Sequence, residues 1–184
     1  MSMSRTDRKL WAQARTLADL GELTAQWLEG RIASQPGYMP NCGPDEETTV
    51  LVPALAAANR AGYLTWNSQP GSDGTGYDGR RWVQRAAVCG YADQPVLDQL
   101  RRAAARHRCR LLFKEHMPAT MADNEIVTGF GGQLPARHLR ATWKGIVSDD
   151  AWRALKAATQ VTVISPDWGP GGTKRVAAVL AELG

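Results

Sequence analysis

The chain has 184 residues, the span of one ordinary domain, and 43% hydrophobic with 22% charged residues places it among globular rather than disordered compositions. No apolar run approaches the ~20 residues of a membrane helix, and the polar start MSMSRTDRK has none of the apolar core of a signal peptide. A net charge of +4, from 17 arginines and 5 lysines against 18 acids, is spread too thinly to select a nucleic acid by itself. Cys42, Cys89 and Cys109 are odd in number and show no CxxC spacing, which argues against a disulfide framework and a zinc cage. The expectation is one cytoplasmic domain spanning 1–184.

Taken in chain order, Leu10 and Trp11 predict a short first turn. Thr16 and Asp19 have capping-box spacing, and Leu17, Leu20, Leu23, Trp27 and Leu28 recur at helical intervals until Gly30. Gln35–Pro44 reads as a loop from its prolines and glycines. A second helix is expected from Asp45 to Ala61, with Gly62 as its stop. Pro53 leaves two readings, a kink or a regular helix that begins only near the proline.

Tyr63–Asn67 predicts a strand, and the glycine-rich stretch Ser68–Gly79 an ordered turn or a flap rather than a regular element. A strand at Trp82–Val88, a helix at Gln94–His107 and a short strand at Arg110–Phe113 follow. Beyond a loop containing Met117–Asn124, strands are expected at Glu125–Thr128 and Leu139–Val147. A helix from Asp149 turns Trp152 and Leu155 inward. A buried strand at Val161–Ser165, the loop PDWGPGG and a helix at Thr173–Leu183 complete the chain. Interleaved strands and helices without a linker or a repeat predict mixed α/β (α+β) architecture.

Catalytic signatures are sparse. His107, His116 and His138 form no HxxxH or HExxH pattern, and no nucleophile elbow is present. Gly169–Lys174 (GPGGTK) lacks P-loop spacing and reads as a turn entering a helix, whose N-terminus could in principle receive an anion. The basic run Arg101, Arg102, Arg106, Arg108, Arg110 and Lys114 has no interleaved aromatics, and reads as a solvated face rather than a nucleic-acid or protein interaction surface. No catalytic constellation is recognisable, so the reading leans away from an enzyme without excluding one, and no metal site is expected.

Glu46–Pro70 (EETTVLVPALAAANRAGYLTWNSQP) is the most informative segment. It sets Glu47, Thr48 and Thr49 at a helix start, then brings Thr65, Asn67 and Ser68 along the following strand. Such groups either cap the helix, the plainer reading, or converge on a small ligand. A carboxylate there would suit a cationic ligand, and hydroxyls would suit ribose or carboxylate groups.

The same segment resembles the C-terminal regulatory domain of eukaryotic-type methylenetetrahydrofolate reductase. The resemblance rests on Glu47-Thr48, on Asn59-Arg60-Ala61-Gly62 and on Leu64-Thr65-Trp66-Asn67-Ser68-Gln69-Pro70, with weaker likeness in the first helix, in Asp78–Val88 and in the ending QVTVISPDWGP. It implies side-by-side mixed β-sheets flanked by helices, and a site for S-adenosylmethionine or S-adenosylhomocysteine. Position by position, it implies ligand contacts at Glu47, Thr48, Thr65 and Ser68, and further on at Thr128 and Thr142. The reductase's (β/α)₈ barrel needs ~250 residues, more than this chain holds, so neither flavin nor folate chemistry is expected. Pro53 has no counterpart in the family's helix. A regulatory module without its barrel implies a stand-alone sensor or accessory domain, with a small molecule as first partner and another protein or a second copy as its output. The alternatives are an enzyme acting on S-adenosylmethionine or a related nucleoside in the same pocket, and an interaction module using the arginine-rich helix.

Overall fold

In the computed structural model the first long helix begins at its capping box. The Thr16 hydroxyl accepts the Asp19 amide at 3.1 Å, and the Asp19 carboxylate accepts the Thr16 amide at 3.0 Å. The structure describes residues 2–113, 120–122, 125–127 and 135–184. Helix α1 spans Arg5–Gln13, longer than the single turn expected, and α2 spans Leu17–Leu28. On α2, Leu20, Thr24, Trp27 and Leu28 lie four, three and one residue apart and are all buried.

Asp45–Ala61 resolves the two readings of Pro53. A 3₁₀ helix, Glu46–Leu51, leads into α3, Val52–Arg60, with the proline in its first turn. There the missing N–H costs nothing, because the first amides of a helix have no intrahelical acceptor.

Strand β1 (Leu64–Gln69) and β2 (Ser72–Thr75) both pair antiparallel with the long β3 (Arg81–Ala92). The glycine-rich stretch thus contains a regular strand, against expectation. A backbone ladder needs no side chains, and Ser72–Thr75 takes its bonds from the first half of β3. Helix α4 is Gln94–Arg106 and β4 is Arg110–Leu112. Thr120–Ala122 forms β5 inside the predicted loop, antiparallel to β6 (Glu125–Val127). The rest of that loop lies outside the described residues.

The strand expected at Leu139–Val147 is instead helix α5, Ala136–Trp143, leaving one bridge between Lys144 and Val147. HLRATW satisfies both periods, since Leu139 and Trp143 fit alternation as well as an i, i+4 face. The helix prevails because Trp143 is then buried edge-on to Trp11, ring centroids 5.9 Å apart. Helix α6 (Asp149–Ala157) buries Ala151 and Leu155, while Trp152 is only half-buried. Strand β7 runs Thr159–Trp168, beyond the expected end at Ser165, and α7 is Gly171–Ala181. Pro166 sits where the β3–β7 register slips, so its absent N–H breaks no regular pair.

The architecture is mixed α/β, organised on β3. Its first half pairs with β2 and, in parallel, with β6. Its second half lies antiparallel between β1 and β7, and β4 continues that side. The main core gathers Leu20, Leu55, Val88, Val163 and Leu180 from α2, α3, β3, β7 and α7. Tyr63, fully buried, shares its one hydroxyl proton between the carbonyls of Val88 and Val161, both at 2.9 Å. It thereby fixes the entry to β1 against the sheet. Among the described residues no helix is long and apolar enough to cross a membrane.

Candidate functional site

Helix α2, the 3₁₀ helix, β1 and α5 meet around a cavity of about 230 Å³. Its walls are built from indole and phenol rings. Trp27 and Tyr38 pack edge-on, with centroids 5.2 Å apart, and Trp66 and Trp143 stand on other sides. Each ring is fixed from outside. The Trp27 N–H donates to the Cys42 carbonyl at 2.9 Å and the Trp66 N–H to the Cys89 sulfur at 3.0 Å. Trp143 rests on Trp11, whose own N–H donates to the Ser34 carbonyl at 2.9 Å. With their N–H groups bound elsewhere, Trp27 and Trp66 contribute chiefly apolar surface to the lining.

Hydroxyl groups supply the polar half. Thr48 from the 3₁₀ helix, Thr65 and Ser68 from β1, and Thr142 from α5 all line this one space. Thr65 is held most firmly. Its amide donates to Asn59 Oδ1 at 2.9 Å, and its hydroxyl accepts from Asn59 Nδ2 at 2.7 Å. The hydroxyl's own proton stays available to donate. Thr142 comes close because Gly37 lets it. A methyl at Gly37 would lie 2.5 Å from Thr142 Cγ2, and the Gly37 φ of +84° belongs to the left-handed region.

Of the six residues singled out from sequence, Thr48, Thr65, Ser68 and Thr142 come together here. Glu47 is exposed and is not among the lining residues, and Thr128 lies outside the described residues. The acid at the cavity is Asp45, two residues earlier. It accepts a hydrogen bond from the Tyr38 hydroxyl, which chiefly pushes that phenol's pKa up to about 12 and keeps it protonated as a donor.

Thr24 escaped the sequence reading. It lines the cavity from α2, is 1% exposed, and its Oγ1 has no hydrogen-bond partner. Buried hydroxyls are ordinarily satisfied, so Thr24 is an exception among the residues of this wall. The signal was present in sequence: a lone polar residue on the apolar stripe of Leu20, Trp27 and Leu28.

Parts of the other candidate motifs are engaged within the fold. Arg101 pairs with Asp98 at 2.7 Å, while Arg106 and His107 share Glu182 at the end of α7. GPGGTK packs on the β1–β2 connection, where a methyl at Gly71 would come 1.9 Å from the Gly169 carbonyl and the Thr173 hydroxyl accepts the Gly71 amide at 2.8 Å. Those glycines and that threonine therefore lock α7 onto the β1–β2 connection. Burial pushes the Cys89 thiol up, away from thiolate chemistry. Among the described residues no group of three or more His, Cys, Asp or Glu is placed to hold a metal ion.

No curated protein matches the chain. With residues 6–184 matching its sequence profile, the chain belongs to the DUF6919 family, a domain of unknown function.

Proposed function

We propose that the chain is a small-molecule-binding domain whose ligand is S-adenosylmethionine or S-adenosylhomocysteine, acting as a sensor or accessory domain. One observation carries this reading. Thr48, Thr65, Ser68 and Thr142, four positions at which the sequence resemblance implies ligand contacts, line a single cavity although 94 positions separate the first from the last. The lining suits such a ligand. Aromatic walls accept a planar base, and hydroxyls on two sides can bond ribose or an amino-acid group. At about 230 Å³ the enclosed space is below the ~300 Å³ at which drug-sized sites begin. A nucleoside-sized part of the ligand fills it, and the rest extends toward the exposed side marked by Asp45.

Isothermal titration of the full chain with each ligand is the test. The expected result is saturable binding of at least one of them, weakened severalfold by Ser68→Ala. Ser68 is half-buried in the wall and is chosen because it carries little of the fold. Absence of heat and of any thermal shift with both ligands, in a sample with a cooperative melt, overturns the reading.

A further inference from the structure

The geometry points to Asp45, clamped by Tyr38, as the group that reads ligand charge, so that the cavity favours a sulfonium-bearing nucleoside over its neutral thioether. The inference rests on the proposed function and assigns the charge-sensing role to Asp45 rather than to Glu47.

Asp45 occupies the N-cap of the 3₁₀ helix, where an aspartate ordinarily spends its carboxylate on the first free amides. Here the side chain makes no cap hydrogen bond. It turns to Tyr38 instead, and both residues line the cavity. A carboxylate has about four acceptor positions, and the phenol uses one. The described lining of the cavity it borders includes no lysine, arginine or histidine to neutralise it. Glu46 and Glu47, the next two residues, add negative potential at the same helix start.

Thr24, 1% exposed and with its hydroxyl unpartnered, adds a polar group to the same lining independently of Asp45. Phosphorylated ligands find no cation among the described lining residues. A positive centre meets one carboxylate and several aromatic faces, each of which attracts it.

Titrating S-adenosylmethionine and S-adenosylhomocysteine into the natural chain and into Asp45→Asn tests the assignment. Because Asp45 is exposed, the preference expected for the sulfonium is only about two- to fivefold, the range of solvent-screened ion pairs. In Asp45→Asn that preference falls to parity while affinity for the thioether is retained, which also shows that the variant is folded. Equal affinities in the natural chain, or a preference that survives in Asp45→Asn, overturn the charge-reading role and leave the proposed function standing. Failure of the natural chain to bind either ligand overturns both.

Discussion

Asn59 and Thr65 hold each other by two hydrogen bonds across the turn between α3 and β1. Asn59 Nδ2 donates to Thr65 Oγ1 at 2.7 Å, and the Thr65 amide donates to Asn59 Oδ1 at 2.9 Å. The same Asn59 amide also donates to the Leu55 carbonyl at 2.8 Å. Both residues are buried, so one side chain ties the helix end to the strand start and aims the Thr65 hydroxyl into the cavity wall.

Replacing Asn59 by alanine leaves the Thr65 amide without an acceptor in a buried setting. The expected loss is about 2 kcal/mol of unfolding free energy, the cost of stranding buried polar groups. A urea titration measures it as a lower midpoint with an unchanged slope. A loss under about 0.5 kcal/mol, the level of an ordinary surface substitution, would show that water readily takes the asparagine's place.

Thr24 gives the opposite sign for stability. Its hydroxyl is buried and unpartnered, so Thr24→Val removes a polar group that folding has already desolvated. Stability is expected to rise by up to about 1 kcal/mol, while ligand affinity falls severalfold for want of one hydrogen bond. Thermal melts with and without ligand separate the two effects. A variant that binds as tightly as the natural chain would mean that no ligand uses this hydroxyl.

Gly37→Ala addresses the approach of the Gln35–Tyr38 loop to α5. The added methyl meets Thr142 Cγ2 at 2.5 Å and must also adopt a positive φ. The loop is expected to shift away from α5 and widen the cavity. The cost in stability should exceed about 1 kcal/mol, because alanine is strained at such a φ. Pairing it with Thr142→Ser, which removes the opposing methyl, should recover the steric part and leave the backbone part. Full additivity in that double-mutant cycle would show that the two residues do not meet.

Where two physical levels agree, the fold was readable from sequence. The Thr16–Asp19 cap and the α2 stripe coincide, as do the N-cap aspartate Asp93 and the apolar face Val96, Leu97 and Leu100 of α4. Where one short segment satisfied two periods, tertiary contact decided. As a helix, Leu139–Trp143 buries Trp143 against Trp11, a contact that lies far away in sequence. β2 has almost no side-chain signature, since its pairing is made by backbone on β3. In the site, the hydroxyls of Thr48, Thr65 and Ser68 were legible because they lie close along one segment of chain. Asp45 was not, and Thr24 was marked only as a lone polar residue on the α2 stripe, with nothing to link it to this cavity. The choice between Asp45 and Glu47 depends on which way a 3₁₀ turn rotates them, and Thr24 arrives from a different helix.

The α2–α3 pair should also show in acid. Arg60 grips Glu29 through both terminal nitrogens, at 2.8 and 2.7 Å, and reaches Glu22 through Nε at 2.9 Å. The Arg60 hydrogen bond is the main cause that lowers the Glu29 pKa from its ordinary 4.5 to about 2. A carboxylate whose folded pKa is depressed contributes stability that is fully present above its unfolded value. That contribution therefore holds above about pH 4.5 and is lost as pH falls toward 2. These side chains are about a third exposed, so salt weakens the effect. Arg60→Gln should lower the midpoint of urea unfolding at pH 7 and flatten the fall in stability between pH 4.5 and 2. If the natural chain and the variant lose stability in parallel over that window, the acid response originates in other carboxylates.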